Sequence, residues 1–111
     1  MEEVILVITN LPDRDSAQRM AQDLIESHAA ACVNILGGCT SVYRWQGKVQ
    51  TANEVPLLIK TTLGAYPRVE AAINRLHPYE LPEIMAVSVK AGLPGYLQWV
   101  IQQTQATELL K

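Results

Sequence analysis

Val4-Ile5-Leu6-Val7-Ile8 constrains this chain more than any other segment. Five consecutive apolar residues, four of them β-branched, favour a strand. Val4, Leu6 and Ile8 alternate with Ile5 and Val7, so the strand is apolar on both faces. Strands of that kind are normally buried on both sides. The fold must therefore set this strand inside a sheet and cover both faces of it. At 111 residues there is material for one core, and the expectation is a single domain over 1–111.

Asn10-Leu11-Pro12 ends the strand, and Asp13, Asp15 and Ser16 supply a cap and first-turn acids for a helix. Ala17, Met20, Ala21, Leu24, Ile25 and His28 recur at three- and four-residue intervals along it. A second β-rich stretch begins near Cys32, is broken by Gly37-Gly38 and resumes through Thr40–Trp45. Gln46-Gly47-Lys48 predicts a tight hairpin turn with Gly47 at positive φ, and the returning strand runs from Val49 to Thr62. Pro56 has no amide to donate, so it belongs on an exposed edge or at a bulge. A second helix carries Tyr66, Val69, Ala72, Ile73 and Leu76 on one face and stops at Pro78. Ile84–Val89 reads as a last strand. Pro94-Gly95 opens a terminal helix with Tyr96, Leu97, Val100 and Ile101 on one side, fraying toward Lys111.

This order, β-α-β-β-α-β plus a terminal helix, is the ferredoxin-like split βαβ arrangement of the α+β class. Right-handed crossovers put both internal helices on one face of the antiparallel sheet. One short terminal helix cannot cover the other face, so the doubly apolar first strand predicts self-association into a closed symmetric oligomer.

The stretch with the most chemistry is His77-Pro78-Tyr79-Glu80-Leu81-Pro82-Glu83. Its two prolines fix their own φ and push the preceding residues out of the helical region. The result is a stiff connector that displays an imidazole, a phenol and two carboxylates, as a metal or ligand site requires. A plainer reading makes Pro78 a helix stop and Glu80 and Glu83 solvated charges. Tyr43 and Trp45 share a strand face near the hairpin, where they either anchor an interface or plug a core. Lys60, in an apolar strand, either snorkels to solvent or meets an anionic ligand.

Several classes are disfavoured. A net charge of −2 and a pI near 5.6 give no footprint for nucleic acid. No apolar run approaches a membrane span. Glu2 and Glu3 are the reverse of a basic signal-peptide start. Cys32 and Cys39 lack CxxC spacing and read as reduced thiols of a cytoplasmic chain. No glycine-rich phosphate loop or nucleophile elbow is present, so the expectation is a protein that is not an enzyme.

Five co-linear blocks, Ala30–Ile35, Ser41–Lys48, Ile59–Thr62, His77–Glu83 and Tyr96–Trp99, resemble the CutA divalent-cation tolerance family over nearly the whole chain. The resemblance implies a ferredoxin-like fold assembled as a homotrimer, a role in tolerance of divalent metals, copper above all, and binding of those ions. It also implies an architecture similar to PII signalling proteins, which hold small anionic ligands in clefts between subunits. Carried over by position, His77 and Cys32 match residues viewed in the family as metal ligands, and Glu80 lies beside His77. Tyr43, Trp45, Lys60, Tyr79 and Glu83 are the corresponding candidates for a ligand cleft or subunit interface. Some members carry a further cysteine where this chain has Thr9, which weakens any thiolate-rich copper site here.

Overall fold

β1 (Val4–Leu11) lies inside the sheet, as its two apolar faces require, between β4 (Lys48–Thr62) and β5 (Met85–Ser88), antiparallel to both. This computed structural model describes residues 2–105. The remaining elements are α1 (Arg14–Glu26), β2 (Cys32–Ile35), β3 (Cys39–Trp45), α2 (Tyr66–Leu76) and α3 (Pro94–Gln103). The expected fraying toward Lys111 lies outside the described residues. The strand order β2-β4-β1-β5 is that of the ferredoxin-like fold, with the second strand split in two. β2 pairs with the C-terminal half of β4, and β3 pairs with its N-terminal half as a long hairpin arm.

α1 starts where the Asp13 carboxylate accepts the Ser16 amide at 2.8 Å, a side-chain N-cap. That bond holds the Asp13 carboxyl below its ordinary range, with help from the Ser16 hydroxyl. Ala17, Met20, Ala21 and Leu24 are buried, whereas Ile25, placed on the same face by its spacing, is exposed at the stripe's margin. α2 buries Val69, Ala72 and Ile73 beside α1. Both helices cover the sheet face built by Ile5, Val7, Leu57 and Ile59, and this is the main core. Arg68 ties the ends together: its guanidinium donates to the carbonyls of Ser27 and His28 after α1 and of Thr104 after α3. These are terminal carbonyls that the helices leave without intrahelical partners.

Of the two places expected for Pro56, an exposed edge or a bulge, the structure shows the second: in the interior strand β4, Val55 and Pro56 lie opposite three residues, Leu36, Gly37 and Gly38, between the Ile35–Leu57 and Cys39–Glu54 pairs. The Pro56 carbonyl accepts the Leu36 amide at 3.0 Å, so its nitrogen faces the same side, toward the Gly37-Gly38 interruption between β2 and β3. The ladder has a gap there and loses nothing to the missing donor. At the arm's tip the loop is two residues, with Gln46 at φ 51° and Gly47 at φ 79°. Positive φ at both central positions is the turn whose twist matches a hairpin.

The other sheet face carries Leu6, Ile8, Leu58 and Lys60, on the alternate positions of the same strands. α3 lies over it: the Tyr96 ring sits 5.9 Å from Lys60 Nζ, and Val100 is fully buried. The helix covers only part of this face. Met85 and Val87, paired with Ile8 and Leu6, remain 53% and 48% exposed in the chain by itself.

Candidate functional site

The connector from α2 to β5 straddles the C-terminal end of β1, and three polar contacts pin it there. His77 caps α2 with its backbone amide bonded to the Ile73 carbonyl, while its side chain turns inward to 7% exposure. Its Nε2 meets the Asn10 carbonyl at 2.6 Å and its Nδ1 accepts the Tyr79 amide at 3.1 Å. These partners assign the proton to Nε2. Asn10 Nδ2 donates to Glu83 at 3.1 Å and, at a longer 3.4 Å, to Glu54. The Tyr79 hydroxyl donates to the other Glu54 oxygen at 3.0 Å.

Between connector and arm lies a cleft of ≈ 760 Å³. Tyr43, Trp45 and Ser41 enter from β3; Glu54 lies on the same arm face, since it pairs with Cys39 two positions away from Ser41. Tyr79, Glu80, Leu81, Pro82 and Glu83 form the opposing wall, and Asn10 closes one end. Three carboxylates thus face the cleft, and no lysine, arginine or histidine lines it. Glu54 is only 8% exposed. Burial, followed by the bond to Glu54 and the charge of that carboxylate, pushes the Tyr79 phenol up to about 12. The phenol therefore remains a donor at every physiological pH.

Of the residues singled out in the sequence, Tyr43, Trp45, Tyr79, Glu80 and Glu83 come together here. His77 stands behind the wall as its anchor, and both of its ring nitrogens are engaged by main chain. Cys32 and Lys60 lie elsewhere. They pair across β2 and β4, with Lys60 Nζ 4.0 Å from Cys32 Sγ, in register with Leu6. Leu6 is four residues from Asn10, roughly 13 Å along the strand. Among the described residues, no group of three or more His, Cys, Asp or Glu is gathered closely enough within the chain to hold a metal ion. Cys32 and Cys39 are free, half-buried thiols.

Sequence reasoning missed Asn10 and Glu54. The available signals were a polar residue ending an apolar strand, and a carboxylate among the β-rich residues of the Val49–Thr62 run. Neither shows that the two meet.

The model of the CutA1 divalent ion tolerance protein family matches residues 5–103. The chain belongs to the CutA1 family. It is 44% identical over 104 residues to the divalent-cation tolerance protein CutA of Thermus thermophilus, a match covering 94% of this chain and 99% of that one. Protein CutA of Mus musculus is 38% identical over 95 residues, covering 86% of this chain and 54% of that protein. The chain thus spans about half the length of that mammalian CutA. Among solved structures, CutA from Xylella fastidiosa superposes with a TM-score of 0.90 at 42% identity, covering 93% of this chain and 99% of the other. All five sequence blocks that resemble CutA fall within the matched span. No helix of the described residues is long and apolar enough to cross a membrane.

Proposed function

We propose that this protein supports tolerance of divalent cations by binding them, copper(II) among them, in the cleft between the hairpin arm and the His77–Glu83 connector. Glu54 carries the reading. It is a nine-tenths-buried carboxylate whose protein partners, the Tyr79 hydroxyl and the Asn10 amide, are both neutral. A buried charge with no opposite charge is costly, so the site favours an incoming cation. Glu83 shares the Asn10 amide with Glu54 and would supply a second carboxylate, with water filling the remaining positions of a hard or borderline divalent ion, while Glu80 adds charge at the rim. His77 and Cys32 enter differently. His77 would have to surrender a main-chain bond to ligate, and Cys32 would serve a separate, softer site beside Lys60.

The working form in this reading is a homotrimer, each subunit a single domain over 1–111, binding rather than catalysing, in the cytoplasm. Support for assembly comes from the part-covered sheet face at Met85 and Val87 and from the arm that presents Tyr43 and Trp45, both more than a third exposed. A subunit boundary along the arm would adjoin the cleft. A second reading, a PII-like module that takes a small anion, draws on Lys60, whose ammonium stands over Tyr96 on the sheet face shared with Met85 and Val87.

Equilibrium dialysis against copper(II) and manganese(II) tests the first reading, with sedimentation equilibrium to fix the stoichiometry. Glu83→Gln and Glu80→Gln should each weaken uptake several-fold, with His77→Ala and Cys32→Ser measured beside them. Imidazole ligation fails below about pH 6.5, carboxylate ligation only near about pH 4. Uptake that survives both Glu variants but vanishes in Cys32→Ser would move the metal out of the cleft. A monomer at low micromolar concentration would remove the trimer.

A further inference from the structure

We infer that the same cleft takes an organic ammonium ion, a protonated amine on a short aliphatic chain. The inference rests on the reading of the cleft as a cation site and adds a second class of ligand to it. A divalent metal needs oxygen atoms and water. It leaves unused the wall made by Tyr43, Trp45 and Leu81, and a cleft of ≈ 760 Å³ lies in the size range of small-molecule sites, far beyond one hydrated ion. An alkylammonium uses both halves of the lining.

Its head offers three N–H donors. Glu54 has acceptor capacity beyond its bonds to Tyr79 and Asn10, and Glu83 beyond its bond to Asn10. Both carboxylates lack a cationic partner: among the described residues the only ion pair is Arg75 with Asp23, on the helix face. The cation would also lie among the rings of Tyr43, Trp45 and Tyr79, whose π faces attract positive charge, most strongly where water is excluded. The aliphatic tail would cover Leu81 and Trp45, which the chain leaves 69% and 37% exposed. An anion meets three carboxylates in this cleft and a neutral ligand leaves Glu54 uncompensated, so an amine is the organic class that fits.

The test is calorimetric titration of the full chain with n-pentylamine hydrochloride, n-pentanol as the uncharged control, and manganese(II) in parallel. Pentylamine should saturate at one per subunit and bind at least about tenfold more tightly than pentanol, the difference arising from charge-assisted bonds and cation–π attraction. Tyr43→Leu and Trp45→Leu keep bulk on the arm but remove the rings. Each should weaken pentylamine about fivefold or more, and by more than it weakens manganese, which would be held by carboxylates that both variants keep; sedimentation equilibrium checks that each variant assembles as the parent does. Glu83→Gln should weaken both ligands. Manganese binding without pentylamine binding, or equal binding of amine and alcohol, overturns the inference and leaves the metal reading intact. Pentylamine binding without metal uptake supports the inference and defeats the metal reading. If the parent ignores pentylamine while Glu54→Gln loosens its assembly, the counter-ion is a cationic side chain of a second copy, which also overturns it.

Discussion

Replacing Tyr79 with phenylalanine isolates the contact on which the cleft's electrostatics turn. The phenol donates to Glu54 at 3.0 Å and its ionisation is pushed from 10.0 up to about 12 by burial and by that carboxylate. Tyr79 is 37% exposed, and solvent screening holds the expected contribution of this contact to about 1 kcal/mol. The sign follows from proton binding: the folded protein holds the phenol proton more tightly than the unfolded chain does. The stabilisation is therefore complete below about pH 10 and disappears as the pH rises toward 12. Urea denaturation at fixed protein concentration should show Tyr79→Phe less stable than the parent by about 1 kcal/mol at pH 8. The gap should narrow steadily above pH 10. Tyrosinate absorbance supplies a direct check, because the variant should lose one late-titrating phenol. If the variant instead loses a phenol that ionises near pH 10, or matches the parent's stability at pH 8, Tyr79 and Glu54 are not coupled as described.

Two further changes probe the scaffold. Thr9 is fully buried and its hydroxyl has no hydrogen-bond partner among the described residues, so the near-isosteric Thr9→Val should stabilise the fold by about 1 kcal/mol or more, read as a higher urea midpoint at unchanged slope. A lower midpoint would mean that the hydroxyl is satisfied. Arg68→Met keeps the aliphatic stem but removes the donors to Ser27, His28 and Thr104; a loss of about 2 kcal/mol is expected, with amide exchange accelerated at the ends of α1 and α3 rather than in β1.

The fold was legible because its signals are local and mutually consistent. The two-faced run Val4–Ile8, the Asp13 cap, the Gln46-Gly47 turn and the Pro78 stop each act within a few residues, and together they leave one topology. Pro56 could be narrowed only to an edge or a bulge, because the extra residue that makes the bulge comes from the Gly37-Gly38 segment on the opposite strand. The site divides in the same way. Tyr79, Glu80 and Glu83 share one stiff heptapeptide and could be read directly. Asn10 and Glu54 join them only through strand pairing, 44 residues apart, and no short-range pattern carries that information. The engagement of both His77 nitrogens was hidden for the same reason, since one partner is the carbonyl of Asn10.

Whether the cleft is a cation site can be read from anomalous diffraction of crystals soaked in manganese(II). One strong peak per subunit is expected within coordination distance of the Glu54 and Glu83 carboxylates, with Tyr79 still bonded to Glu54 and His77 still bonded to Asn10. The peak should vanish in Glu83→Gln crystals soaked identically. A peak beside Cys32, or density at His77 with its bond to Asn10 broken, would contradict a cation site in the cleft.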